Sequence, residues 1–272
     1  MADEVPKTTT PGVDHTRPNA ARMYDYHLGG NANFQVDRDA VERGRAILPD
    51  ATYYMQQNRA VLMRMVRYLV QDAGIDQFLD LGSGIPTRGN VHEVAHLHDP
   101  RARVAYVDFE PIAVAHARRI LADTEAPVTI TQADIREPDV VLNAPGVAGL
   151  LDFDRPIAVL AVGILPFLTD DADAADLMAR YRRATAPGSY GAVTHISPLT
   201  WTWEQVTEAL RILAETATPE VARTPEQIRA LLPGYELVEP GLVPAARWRP
   251  EHEVSEQDAL RSNCYAAVGR HD

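Results

Sequence analysis

Short, mainly apolar runs alternate along the middle of the chain with segments of helical spacing. The runs are QFLDL, RVAYVDF, VTITQAD, PIAVLAVGIL and SYGAVTHI. Between them lie NVHEVAHLH, PIAVAHARRILAD and DDADAADLMARYRRAT, two of them with proline at an end. A strand apolar on both sides must be covered on both sides. Strands of this kind separated by helices therefore predict an α/β fold with a mostly parallel sheet.

The flanks differ from the middle. Before the first strand, QVDRDAVERGRAIL and YYMQQNRAVLMRMVRYLVQDAG read as helices, the second with Leu62, Met65, Val66 and Leu69 on one face. They follow a tail, residues 1–19, rich in Pro, Thr and charge and expected to be disordered. Residues 20–76 then form a helical cap or lid, and residues 77–272 the sheet domain. After the fifth strand, WTWEQVTEALRILAET and TPEQIRALL are helical. YELVEPGLVPAARW and CYAAVGR read as an antiparallel edge pair with no convincing helix between them, Pro240 and Pro244 suiting an edge or a break.

Composition narrows the function. The net charge of −12 opposes nonspecific nucleic-acid binding, which needs Lys and Arg against phosphates. No stretch is apolar over the ~18 residues of a membrane span, and the N-terminal stretch has no apolar signal region. The single cysteine, Cys264, suits a reducing cytoplasm and reads as a small buried hydrophobe.

The first strand runs into Gly82-Ser83-Gly84. Glycines there permit positive φ and close approach of a ligand to the backbone. A dinucleotide fingerprint would carry a third glycine, but Thr87 stands in its place, which disfavours an NAD-dependent oxidoreductase. Asp80, Asp108 and Asp134 end the first three strands, on the edge where open α/β sheets bind ligands. Asp108 is positioned to accept from ribose hydroxyls, and Asp134 or its neighbouring backbone from an adenine amino group.

This arrangement resembles the class I methyltransferases, in DLGSG, VDFEP and ADI. The longer stretches ARMYDYHLGGNANFQVDRDA, NRAVL, QFLDLGSGIPTRGNVHE and YVDFEPIAVAHAR resemble a bacterial S-adenosyl methyltransferase family first catalogued as a domain of unknown function. In that family Pro-Thr after the glycines is normal. The resemblance implies a Rossmann-like, seven-stranded sheet with an antiparallel edge pair, and S-adenosylmethionine as cofactor. The cofactor-binding candidates are Asp80, Gly82, Ser83, Gly84, Thr87, Asp108, Phe109, Asp134, Ile135 and Gly163, with Asn33 reaching in from the lid.

The acceptor is expected to be a small molecule. A noncatalytic protein that binds S-adenosylmethionine or S-adenosylhomocysteine is the alternative. AVGILPF after the fourth strand lacks the Asn/Asp-Pro-Pro-aromatic motif of enzymes that methylate exocyclic or amide nitrogens. His195 ends the fifth strand and is the first candidate for a general base, because histidine titrates near neutrality. Tyr26 is the second, with Tyr24 and His27 beside it in a segment whose Gly29-Gly30 pair would hinge a lid. The acids of DDADAAD fall at a helix start, where they complement the dipole, so no metal is expected.

Overall fold

The computed structural model describes residues 14–86, 89–122, 124–213 and 219–272. Three helices precede the sheet: α1 (Ala20–His27), α2 (Gln35–Ile47) and α3 (Ala51–Gln71). The alternating core follows as β1 (Gln77–Leu81), α4 (Val91–His96), β2 (Arg103–Asp108), α5 (Pro111–Leu121), β3 (Val128–Gln132), α6 (Pro138–Asn143), α7 (Pro145–Ala148), β4 (Ala158–Val162), α8 (Asp171–Arg183) and β5 (Tyr190–Ile196). The last part holds α9 (Trp203–Leu213), α10 (Pro225–Ala230), β6 (Glu236–Leu237), β7 (Val243–Pro244), α11 (Glu256–Arg261) and β8 (Cys264–Arg270).

The strands form one sheet in the order β3-β2-β1-β4-β5-β8-β6, with β7 also paired to β8. The first five are parallel, and β8 runs antiparallel to β5 from Tyr190↔Arg270 to Ile196↔Cys264. The expected sixth strand is split. Its two halves, β6 and β7, both pair with β8, and Glu239-Pro240-Gly241-Leu242 lies between them. Proline has no N–H for a ladder, so a break here is the expected response.

One expectation fails in this region. A helix, α11, does separate the edge strands. Ser255 caps it, its hydroxyl accepting from Asp258 N at 3.0 Å. The capped helix is only six residues long, too short to show a hydrophobic period.

Strand order fixes the geometry of function. The chain reverses its direction of growth between β1 and β4, and a crevice opens at the carboxyl ends of the strands there. One face of the sheet is covered by α3 and α4, with Met65 and Leu69 packed on Phe78, Val104 and Leu160. The other face is covered by α8 and α10, with Met178, Tyr181 and Leu231 on Leu79, Val159 and Val193. The helix α3 thus shares the core of the sheet across the boundary at residue 76. The tail is fastened from residue 14 onward: Arg22 donates to Asp14 O at 3.1 Å and to Arg17 O at 2.6 Å, and Asn19 caps α1. The remainder of the tail lies outside the described residues.

Candidate functional site

The glycine turn is folded back against the end of β2. Gly82 N and Ser83 N both donate to Val107 O, at 2.8 and 3.2 Å. Gly84 N donates to Asp108 Oδ2 at 2.7 Å, while Asp108 Oδ1 accepts from Glu110 N at 2.9 Å. Both glycines have positive φ, +71° and +66°. They differ in surroundings. A Cβ on Gly82 would strike the Ile164 side chain at 2.4 Å, whereas one on Gly84 would have no atom within 4 Å. Gly82 is needed by the core; Gly84 faces free space.

That space is a cavity of about 240 Å³ at the carboxyl edge, between the sheet and the N-terminal helices. Asp80, Gly82, Ser83, Gly84, Asp108, Phe109, Asp134, Ile135 and Gly163 of the sequence candidates all line it. Burial pushes the Asp80 carboxyl up to about 7; Arg59 opposes the shift and Asp108 adds to it. Burial also raises Asp108, against the pull of the backbone N–H groups of Glu110 and Gly84. Asp134 is held below its ordinary value by the hydrogen bonds that Arg136 donates to it. Phe109 is half exposed at the cavity rim, with 48% of its surface accessible.

At the glycine-turn end of this lining two buried donors, Arg59 Nε and Ser83 Oγ, have no hydrogen-bond partner among the described residues. Unsatisfied buried polar atoms are rare in native proteins and ask for an explanation. With Gly84 open above them, they fit a polar ligand lying on the turn. Next to Arg59, Asn58 is spent on structure: its Oδ1 accepts from Thr194 Oγ1 at 2.5 Å, and its Nδ2 donates to Tyr24 Oη at 3.2 Å. The Arg59 guanidinium lies 5.4 Å from the centre of the Tyr24 ring.

Three sequence candidates stand apart from the cavity. His195 is wholly buried. Arg223 can only donate, so His195 Nε2 accepts from it at 2.8 Å, and Nδ1–H donates to Ile196 O at 2.9 Å. Both ring nitrogens are occupied, and burial pushes the ring down to about 4. His195 is therefore held in a buried network with Arg223, away from the cavity. Tyr26 packs on Met23, Ala40 and Val41 and reaches Glu42 Oε1 at 3.3 Å, outside the cavity. Asn33 gives its Nδ2 to Asp25 and Gly30 O, while its Oδ1 accepts from Arg38. Both Nδ2 protons are thus used within the N-terminal segment. Thr87 lies outside the described residues.

Sequence reasoning missed Arg59, Tyr54 and Glu220, all of which line the cavity. A signal for the first was present. Asn58 falls on the same helical face as Leu62, Met65, Val66 and Leu69, and a polar pair at the end of an apolar face is out of pattern. Tyr24 and His27, named beside Tyr26, do line the cavity. His27 Nδ1 is 3.0 Å from Thr52 Oγ1, and burial pushes it down to about 4, so it is neutral at physiological pH. Trp201 is buried in the lining and stacks edge-on to Tyr54 at 5.9 Å, while Trp203 is half exposed. In the DDADAAD run, Asp170 caps α8 and Asp171 accepts from Arg223 at 2.7 Å.

A parallel sheet grown outward from β1 and β4, an antiparallel β8, and acids on three strand ends around a glycine turn define a class I methyltransferase fold. The chain belongs to the S-adenosyl methyltransferase family, whose model matches residues 6–272, and its cofactor is S-adenosylmethionine. It is 40% identical to a candidate methyltransferase from Thermobifida fusca, over 96% of this chain and 98% of that one, with a TM-score of 0.90. A DUF574 family protein from Streptomyces avermitilis is 33% identical over 95% of this chain and 99% of that one, TM-score 0.87. Human N-acetylserotonin methyltransferase, solved with S-adenosylmethionine, shares the fold: 16% identity, 94% and 63% coverage, TM-score 0.50. No protein of curated function matches.

Proposed function

We propose that this protein transfers the methyl group of S-adenosylmethionine to a small-molecule acceptor. The observation that carries the reading is the pair of partnerless buried donors, Arg59 Nε and Ser83 Oγ, beside the open face of Gly84. The adenosine half would lie across the strand ends. Asp108 still has a free lone pair on each oxygen for the ribose hydroxyls. Phe109 and Ile135 would flank the base, and Asp134 would meet its amino group. Arg59 and Asp80 would take the carboxylate and ammonium of the methionine half, a charged donor and a buried acid facing opposite charges.

The bound cofactor supplies a methyl group already activated on a sulfonium. The chain's task is to position it and exclude water. The helices α1 and α2 cover the cavity through Met23, Tyr24, Ala40 and Val41. Among the described residues no helix is long and apolar enough to cross a membrane, and we place the protein in the cytoplasm, where its buried unpaired Cys264 stays reduced.

Calorimetry with S-adenosylmethionine, S-adenosylhomocysteine and NAD tests the site. Binding of the first two without NAD is expected. Formation of S-adenosylhomocysteine in the presence of protic small molecules separates an enzyme from a protein that only binds the cofactor. NAD binding, or no binding by either adenosyl ligand, would overturn the reading.

A further inference from the structure

The cavity has a second end that the cofactor's polar groups do not explain. Leu48 after α2, Tyr54 on α3, Ile196 at the end of β5, Trp201 just before α9 and Leu210 on α9 wall it. In this apolar chamber stands one carboxylate, Glu220. No side-chain hydrogen bond or ion pair involves it among the described residues. Glu220 is half-buried, and its carboxylate faces the chamber free to accept from a donor that enters.

Its placement is built. Glu220 lies on the strap between α9 and α10. The next residue, Val221, donates its backbone N–H to Pro166 O at 2.9 Å, and Arg223 N donates to Ile196 O at 3.3 Å. The Arg223 side chain is buried and donates to Asp171, Leu165 O, Leu168 O and His195 Nε2, at 2.7, 3.1, 2.6 and 2.8 Å. The His195–Arg223 lock therefore fixes residues 221–223 over the end of β5 and holds the neighbouring Glu220 at the chamber. A second polar group waits there. Trp201 is buried, and its indole Nε1–H has no partner among the described residues.

Resting on the methyl-transfer reading above, we infer that Glu220 is the general base of this site and that the chamber takes a compact, largely apolar acceptor carrying a hydroxyl. The hydroxyl donates to the Glu220 carboxylate, and the acceptor's ring or chain packs between Tyr54, Trp201 and Leu48. In the transfer, the hydroxyl oxygen forms the new bond to the methyl carbon. The carbon–sulfur bond breaks with its electron pair passing to sulfur, and the hydroxyl proton passes to the Glu220 carboxylate. The products are a methyl ether, S-adenosylhomocysteine and a neutral Glu220, which returns its proton to water.

Burial alone pushes Glu220 up to about 7, near working pH, where a base is both available and strong enough to be useful. The groups that face the same cavity are Tyr24 and His27 from α1, Arg45 from α2 (paired with Glu42 at 3.0 Å), Arg59 and Asp80 toward the glycine turn, and Asp108, Glu110, Asp134 and Arg136 at the strand ends beyond it. Tyr54 on α3 and Cys264 on β8 also lie close, and the charge of Glu220 helps raise the Tyr54 hydroxyl.

Phenol and toluene are the probes, each titrated by NMR into the S-adenosylhomocysteine complex of the wild type and of Glu220→Gln. Phenol is expected to bind about tenfold more tightly near pH 8.5 than near pH 5.5, as one charge-assisted hydrogen bond replaces a neutral one. Toluene should show no such gain. Glu220→Gln should lose the gain while keeping its affinity for S-adenosylhomocysteine. Phenol that fails to bind, binds without the pH gain, or keeps the gain in Glu220→Gln overturns the assignment. If the wild type does not bind S-adenosylhomocysteine, the methyl-transfer reading itself falls. Thermal unfolding gives a readout free of ligand: a carboxyl raised on folding lowers stability as pH climbs from about 4.5 to 7, so Glu220→Gln should melt higher than wild type at pH 8.5 and equally at pH 4. Equal melting at both pH values means that Glu220 is solvated and not held in the chamber.

Discussion

Asp108 holds the glycine turn as well as facing the cavity: its Oδ2 accepts from Gly84 N at 2.7 Å. The end of β2 thereby sets the height of the turn at the end of β1. One residue links the shape of the floor to the recognition of what lies on it.

Asp108→Ala should therefore weaken S-adenosylhomocysteine binding by at least about tenfold, since hydrogen bonds to a charged group are worth about 1.5–3 kcal/mol each. The loss includes a displaced turn, so Asp108→Asn, which keeps one oxygen for Gly84 N, should fall between alanine and wild type. Calorimetry on variants with wild-type circular dichroism measures this. Equal affinity in all three would remove Asp108 from the cofactor site.

The two glycines should fail in different ways. Both need positive φ, so alanine strains each backbone by about 1–2 kcal/mol. Beyond that, Gly82→Ala collides with Ile164 and should lower the melting temperature further. Gly84→Val projects into open cavity and should abolish ligand binding with the smaller stability loss. A Gly84→Val protein that binds normally would show that the turn does not cradle the ligand.

Asp80 links binding to pH. Its carboxyl is pushed up to about 7 by burial, so it titrates near physiological pH in the free protein. If it faces the ligand's ammonium, binding favours the charged form, and affinity should rise as pH goes from about 5.5 to 8. In Asp80→Asn that rise should vanish. The stability sign is opposite. A carboxyl raised on folding leaves the folded state with more bound protons between about 4 and 7, so Asp80→Asn should stabilise the free protein at neutral pH. Isothermal titration across pH, with parallel melting curves, tests both directions.

Much of this site was legible because strand ends are. An acid after an apolar run on a parallel strand can only emerge at the carboxyl edge, and Asp80, Asp108 and Asp134 do. Side-chain direction was the harder part. Successive residues of a strand point to opposite faces. Thr194 and Ile196 meet Asn58 and the cavity, so His195 between them is turned toward Arg223. Likewise Tyr24 and His27, three apart on α1, share the cavity face, which turns Tyr26 away. Glu220 was illegible for another reason. It lies on an irregular strap, and its position depends on a buried arginine reaching strand β5 from far along the chain.

The cap formed by residues 22–34 should move, if it moves, as one rigid piece. The Gly29-Gly30 pair by itself suggests a hinged lid, with Asn33 reaching the cofactor from it. The structure ties these residues to one another. Asp25 is buried and accepts from Ala32 N and Asn33 Nδ2, both at 2.8 Å, and Gly30 N donates to Asp25 O at 2.9 Å. A Cβ on Gly30 would fall 2.0 Å from Asp25 Oδ1, so this glycine provides room for the carboxylate more than a hinge. Arg22 is paired with the fully buried Asp37 at 2.7 Å, joining the start of α1 to α2. Breaking such a pair by removing one partner costs about 3–5 kcal/mol. The ties from α1 to the rest are fewer: Asn19 Nδ2 to Glu110 Oε2 at 2.7 Å, His27 to Thr52 at 3.0 Å, and Tyr24 to Asn58 and Met55 O. Amide hydrogen exchange should therefore show residues 22–34 protected in the free protein, with one common rate, and slowed together by S-adenosylhomocysteine. Asp37→Ala should make the same amides exchange quickly without ligand. Fast, uneven exchange in the free wild type would restore the loose lid, and protection untouched by ligand would leave the segment a fixed part of the core.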